Sequence, residues 1–261
     1  MREATTAAVV TSRGLVALGA AGLLAHAAPS ALILPTMWRR QPERLGTWCR
    51  WRLRQDRAIA LTFDDGPDVE SLQTLDVLDE LGWRATFFVL GSQLQAHPRI
   101  AMEILARGHE VGTHGFVHRH HLLSTPAAIS RDLDRAVTAH RELLGAAPRF
   151  FRAPYGQLTL PTLLAARRLG LENVLWSAWG REWAEPEDLA VLRRLEAGLR
   201  PGAIVLLHDT DVSCPAGTGN RTRALLGPLA ARVSERGLDV RALGELLTSA
   251  GTPHPVRSEA A

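Results

Sequence analysis

The sequence predicts an α/β protein built on a parallel sheet, either a barrel or a doubly wound sheet. Three observations predict it. From residue 58 onward, short apolar runs alternate with stretches of helical spacing. The first of these runs is continuously apolar rather than alternating, as in a strand buried on both faces. The residues able to do chemistry follow directly after the runs, and α/β folds place their sites at the carboxyl ends of strands.

The first run, Ala58 to Phe63, ends in Asp64 and Asp65, and Gly66-Pro67 then turns the chain. Two adjacent carboxylates at the end of a buried strand repel each other and are costly to desolvate, and a cation beside them removes that cost. Val69–Leu81 carries Leu72, Leu75 and Leu78 at helical spacing and closes at Gly82. Ala85–Leu90 is a strand, Gln93–Arg107 a helix closed by Gly108, and His109–Thr113 a short strand. Ser124 or Thr125 caps a helix with Pro126 at its first position, running to Leu144. Strands at Arg149–Ala153, Asn173–Ser177, Ala203–Leu207 and Leu238–Val240 follow. Between and after them come helices at Leu160–Leu169, Pro186–Leu199, Arg223–Arg236 and Leu243–Ser249, which brings the expected strands to seven. Residues 251–261 read as a frayed tail.

The chain ahead of residue 58 is different. Leu15 to Leu34 is a run of 20 mostly apolar residues, preceded by Arg2 and Arg13. As a helix it would span ~30 Å, the thickness of a bilayer core. Residues 1–36 are therefore expected to be a signal anchor or transmembrane helix, although His26 and Pro29 weaken it. Residues 37–57 are a basic linker with seven Arg against Glu43 and Asp56, interleaved with Trp38, Trp48 and Trp51. Trp beside Arg suits a headgroup interface, and a solvated linker laying its tryptophans on the domain suits the same residues. Seven Arg after the apolar run against two before it would by the positive-inside tendency hold the domain in the cytoplasm. Formal net charge is +3, and residues 1–57 carry +6 of it, so the remaining 204 residues are near −3. That distribution excludes a nucleic-acid-binding core. All 30 basic residues are Arg, which reflects coding bias more than function. Cys49 and Cys214 allow one disulfide at most and form no zinc-type pair; free thiols are expected.

The chemistry-bearing residues cluster after the strands. GTHGFVHRHH follows the third strand and sets His114 and His118 four apart, close enough to share a metal. With an Asp from the first strand they complete the three-ligand open arrangement of a hydrolytic zinc site. His120 and His121 could substitute as ligands but are read as exposed. Arg152, ending the fourth strand, needs an anion, and Asp64 is the candidate. Pro154-Tyr155-Gly156 would fix a backbone N–H toward an oxyanion. His208 ends the sixth strand and could act as a general acid at neutral pH. Glu182 could orient His208, Asp209 could cap the following loop, and Trp179 and Trp183 could wall a pocket. Trp176 reads as packing.

LTFDDGP, THGFVH, RAPYG, WSAWGREW and LLHD, in this order, resemble the five motifs of the NodB-type polysaccharide deacetylases, carbohydrate esterase family 4. The resemblance covers about residues 57–250. It implies a deformed (β/α) barrel, here with an N-terminal hydrophobic helix, and one divalent metal ion, zinc first and cobalt or another divalent next. It implies hydrolysis of an acetamide on an N-acetylated sugar, or of an acetyl ester in some members. By family role Asp65, His114 and His118 hold the metal and Asp64 is the general base. Arg152 positions that base, and the Tyr155 backbone N–H helps stabilise the oxyanion. Leu207 borders the acetyl methyl, Pro154 and Trp183 border the substrate, and His208 protonates the leaving amine. One motif departs: where many members have Asp-x-x-Asp-Trp, this chain has Trp179 and Glu182-Trp183. Glu182 can still accept a hydrogen bond from His208 or Arg152, whereas Trp179 can do nothing ionic. The partners expected are a glycan and, through the N-terminal segment, a membrane, with the catalytic domain outside the cytoplasm. A same-fold amidohydrolase on a non-sugar amide and a non-catalytic, membrane-tethered glycan-binding domain stand as alternatives.

Overall fold

The computed structural model describes residues 22–31, 50, 53 and 57–249. Among the described residues, eight parallel strands form one curled sheet in the order β5-β4-β3-β2-β1-β7-β6, with β8 (Asp239–Arg241) pairing the start of β1 (Ala58–Asp64). The others are β2 (Thr86–Val89), β3 (Glu110–Thr113), β4 (Phe150–Phe151), β5 (Glu172–Asn173), β6 (Ala178–Trp179) and β7 (Ile204–His208). The two outermost strands, β5 and β6, are separated by only residues 174–177. Five peptide steps reach ~18 Å at most, so the sheet must curl until its edges nearly meet. That is the deformed barrel.

Strand alternation sorts the side chains into two sets. Ile59, Leu61, Phe63, Phe87, Val89, Val205 and Leu207 point outward into one core cluster. That cluster packs beneath α2 (Val69–Glu80), α4 (Pro98–Ala106), α7 (Asp188–Gly198) and α8 (Thr218–Glu235). Ala58, Ala60, Phe88, Phe150 and Ile204 point inward and are closed from below by Leu243 and Leu246 of α9 (Leu243–Ser249). A third cluster packs α5 (Pro126–Leu144) and α6 (Leu160–Arg168) against Phe151. Thr125 caps α5, its hydroxyl accepting from Ala128 N–H, with Pro126 at the first position as the sequence predicts.

Two expectations are corrected. The helix expected at Gln93–Arg107 is two helices, α3 (Gly91–Ala96) and α4, broken at His97 (φ −130°, ψ 52°). Pro98 cannot continue α3, because its ring clashes with the preceding turn and it lacks an N–H, but it suits the first position of α4. The strand expected at Asn173–Ser177 is β5 and β6, which lie at opposite ends of the sheet. Residues 174–177 instead bond in passing: Val174 N–H to Phe151 O at 2.8 Å and Ser177 N–H to Ile204 O at 2.9 Å.

Residues 22–31 form a helix, α1. It rests on the barrel, with Ser30 Oγ donating to Leu158 O at 2.9 Å and His26 Nε2 meeting His121 O at 3.2 Å. The rest of the expected anchor, Leu15–Leu34, lies outside the described residues. Among the described residues no helix is long and apolar enough to cross a membrane. In the segment read as a linker, Arg50 bridges to Val174 and Leu53 donates to Gly202 O at 2.7 Å with its side chain in the barrel interior. The packed body thus takes in residues ahead of 58. Trp38, Trp48, Trp51, Cys49 and the tail lie outside the described residues; Cys214 is a free thiol.

Candidate active site

The carboxyl ends of the strands open into a cavity of about 700 Å³ whose wall includes Asp64, Asp65, His114, His118, Tyr155 and His208. Register explains the first pair. Asp64 is opposite His208 in the β1–β7 ladder and, like Thr62 beneath it, points inward. Asp65 should then point outward, but its φ of 82° turns it back over the mouth. A non-glycine residue at positive φ is strained, and such strain concentrates at functional sites.

Arg152 is fully buried under this floor. It donates to Asp64 Oδ1 at 2.7 Å, Thr62 Oγ1 at 2.8 Å and Leu175 O at 3.1 Å, and stacks on Phe88. One guanidinium therefore joins the Asp64 carboxylate to the segment that closes the barrel, a charge-assisted contact made stronger by burial.

His114 and His118 leave β3 on a loop that folds over Asp65. Gly115, at φ 89°, lets that loop turn where a Cβ would strike Asp132 Oδ2 at 2.8 Å. Asp132, on α5, accepts from Phe116 N–H at 2.8 Å and Val117 N–H at 3.4 Å and so pins the loop. Sequence reading missed Asp132; an acidic residue one step before the apolar Leu133 was its only signal. His114 Nδ1 lies 2.8 Å from Arg152 O, and a carbonyl can only accept, so Nδ1 carries the proton and Nε2 the lone pair. His114 Nε2 and His118 Nε2 stand 3.5 and 3.6 Å from Asp65 Oδ1. That oxygen is buried without a hydrogen-bond partner.

The electrostatics agree with a cation site. Burial, with Asp64 adding to it, pushes the Asp65 carboxyl up to about 7, a cost a cation would reverse. Burial lowers His114 far below its usual range and lowers His118 as well, keeping both imidazoles neutral as ligands must be. Asp65, His114 and His118 therefore fit a divalent ion.

His208 is set differently. Burial alone would lower it, but the Glu182 carboxylate and then the two aspartates outweigh burial and hold it at about 9. Glu182 is itself buried and accepts from His208 Nδ1 at 2.8 Å and from His208 N–H at 2.9 Å. Trp183 stands edge-on to His208 at 4.9 Å, and Trp179 and Trp176 continue that wall. Tyr155, at φ 58°, lays its half-exposed ring against His118 at 4.4 Å.

Four expectations change. Leu207 points outward into the core, and Leu206 lines the cavity, because alternation puts Leu206 on the same face as His208. Pro154 is buried and is not among the lining residues, while Tyr155 and Gly156 are. His121 is fully buried rather than exposed, its Nδ1 against Thr162 Oγ1 at 2.9 Å, and His120 is half-buried. Asp209 bonds Ser71 Oγ at the start of α2 rather than capping its own loop.

The family model for polysaccharide deacetylases matches residues 53–174. A chitooligosaccharide deacetylase from Bradyrhizobium is 36% identical over 201 residues, covering 73% of this chain and 90% of that one. This chain belongs to the NodB-type polysaccharide deacetylases, carbohydrate esterase family 4. A solved peptidoglycan N-acetylglucosamine deacetylase, Bc1960, superposes with a TM-score of 0.70 at 25% identity, over 77% of this chain and 92% of that chain. A mutant family 4 pseudoenzyme with restored activity superposes at 0.69 and 25% identity, over 78% and 72%. The family fold is thus the deformed barrel described above.

Proposed function

We propose that this chain is a metal-dependent deacetylase that removes acetyl groups from N-acetylated sugars of a glycan. The observation that carries the reading is one cavity joining three ligands for a cation to an Arg-held carboxylate and a Glu-held imidazolium. Binding a sugar needs neither a base nor an acid, so Asp64 and His208 favour turnover over a binding-only domain.

A divalent ion bound by Asp65, His114 and His118, zinc foremost, would acidify a water and polarise the acetyl carbonyl. Asp64, held in place by Arg152, takes a proton from the attacking water. The Tyr155 backbone N–H serves as a donor to the oxyanion that forms. His208 then gives its Nε2 proton to the amide nitrogen, the C–N bond breaks, and the sugar leaves as a free amine with acetate as the second product. Glu182 keeps His208 charged until that step. Leu206 faces the acetyl methyl, and the Trp176–Trp179–Trp183 wall offers apolar surface to sugar rings.

Chitooligosaccharide and peptidoglycan deacetylases among the relatives support an N-acetylglucosamine polymer as substrate. A wall polymer would put the domain outside the cytoplasm, with Leu15–Leu34 as leader or membrane tether. Because His26 and Ser30 bond the barrel, such a tether would lie ahead of α1 or release it, and cell fractionation tests this. The reaction is tested by acetate release from N-acetylglucosamine oligomers with chelator and with restored zinc or cobalt. Metal-dependent release is expected. Absence of release from protein shown to hold one metal ion would sink the reading in favour of a non-sugar amide or a binding domain.

A further inference from the structure

Asp65 shows its two carboxylate oxygens to two different groups. Oδ1 faces His114 and His118, as described; Oδ2 stands 3.9 Å from His208 Nε2 and 3.9 Å from Cys214 Sγ. The ligand atoms of Asp65, His208 and Cys214 all lie within 4.8 Å of one another. Ligands of a tetrahedral zinc ion, bound at about 2.0–2.3 Å, lie about 3.3–3.8 Å apart, so small side-chain movements close this second triad. His208 is already braced as a ligand. Its Nδ1–H is held by Glu182 at 2.8 Å, the carboxylate–histidine support common behind metal-bound imidazoles, and Nε2 is turned to Asp65. Cys214 lies on the cavity wall, and no step of the deacetylation uses it.

We propose that Asp65, His208 and Cys214 form a second metal site, inhibitory, which takes a thiophilic divalent ion such as zinc and shares Asp65 with the hydrolytic site. As the sulfur–metal bond forms, Cys214 gives its proton to solvent; His208 likewise gives up its Nε2 proton and commits the lone pair to the ion. His208 can then no longer protonate a leaving amine. A carboxylate–imidazole–thiolate set selects zinc or cobalt over magnesium or calcium. The chain therefore works with one ion and stalls when zinc is in excess. That inhibitory consequence rests on the deacetylase reading; the second site itself does not.

The test loads the metal-free full chain with zinc or cobalt and counts bound ions. Wild type should hold two ions and Cys214→Ser one. Cobalt-loaded wild type should show a thiolate-to-cobalt charge-transfer band that Cys214→Ser lacks. His114→Ala should lose the first ion and keep that band. Excess zinc should cut acetate release by wild type by on the order of 10²-fold, the worth of a general acid, and leave Cys214→Ser resistant. One ion and no thiolate band in wild type would overturn the proposal, and so would a second ion retained in Cys214→Ser. Failure of the deacetylase reading is distinct: no acetate release from the one-ion enzyme, whatever the ion count.

Discussion

Arg152 carries more of the site than any ligand does. It is buried, its charge is met by Asp64, and removing one partner of such a pair leaves the other unpaired in low dielectric. Arg152→Met is expected to lower stability by ~3–5 kcal/mol, read as a drop in the urea midpoint; an unchanged midpoint would show the pair to be dispensable. Asp64→Ala should abolish acetate release yet keep the hydrolytic ion, whereas His114→Ala should lose acetate release and that ion. Near-full turnover in Asp64→Ala would overturn its assignment as base. Glu182 raises His208, so His208 stays protonated until the pH passes about 9 in the metal-free protein. Glu182→Gln removes the raising charge, and the alkaline limb of the pH–rate profile should move to lower pH. An unmoved limb would show that another group sets it. As candidates, Asp64, Asp65, His114, His118 and His208 were legible in the sequence, because each lies at or shortly after the end of an apolar run; Cys214 was not. The off-by-one at Leu207 was not, since an unbroken apolar run does not say which alternate residues face inward.

At the scale of elements, the β3–α5 connection decides whether the ligands meet. His114 and His118 sit on a loop whose shape is held by Gly115 and by Asp132 reaching from α5. Asp132→Ala should leave α5 intact by circular dichroism but weaken metal affinity by ~10–100-fold, as loss of outer supports does. Unaltered affinity would mean the loop holds its own shape. The helix boundaries that sequence reading found best, at α5, have a clear cap at each end, Thr125 and the left-handed Gly145. The break at Pro98 was read through because Leu94 and Ala101, seven apart, keep helical spacing across it.

Across the whole molecule, burial has been extended to histidines with no catalytic part. His109, His121 and His140 are nearly inaccessible, and burial lowers each to about 4. Since the unfolded value is near 6.5, the stability they allow is complete above that pH and is lost as pH falls toward 4. Each contributes up to ~3 kcal/mol of the loss. Metal-free protein should have a lower urea midpoint at pH 4.5 than at pH 7, and His140→Gln should narrow the gap. Equal midpoints would show that these histidines protonate without cost.

The sequence by itself determined the family, the parallel α/β plan and which candidate ligand and acid–base residues gather at one cavity. Local pattern is enough for these, because strand ends and chemical side chains are adjacent in the chain. Tertiary structure alone decided how the barrel closes, which face of β7 meets the cavity and that Arg50 and Leu53 belong to the body. It also brought Cys214 to the far oxygen of Asp65, a contact across 149 residues. Contacts made by curling a sheet depend on register and on which edges meet, and neither leaves a mark at the positions themselves.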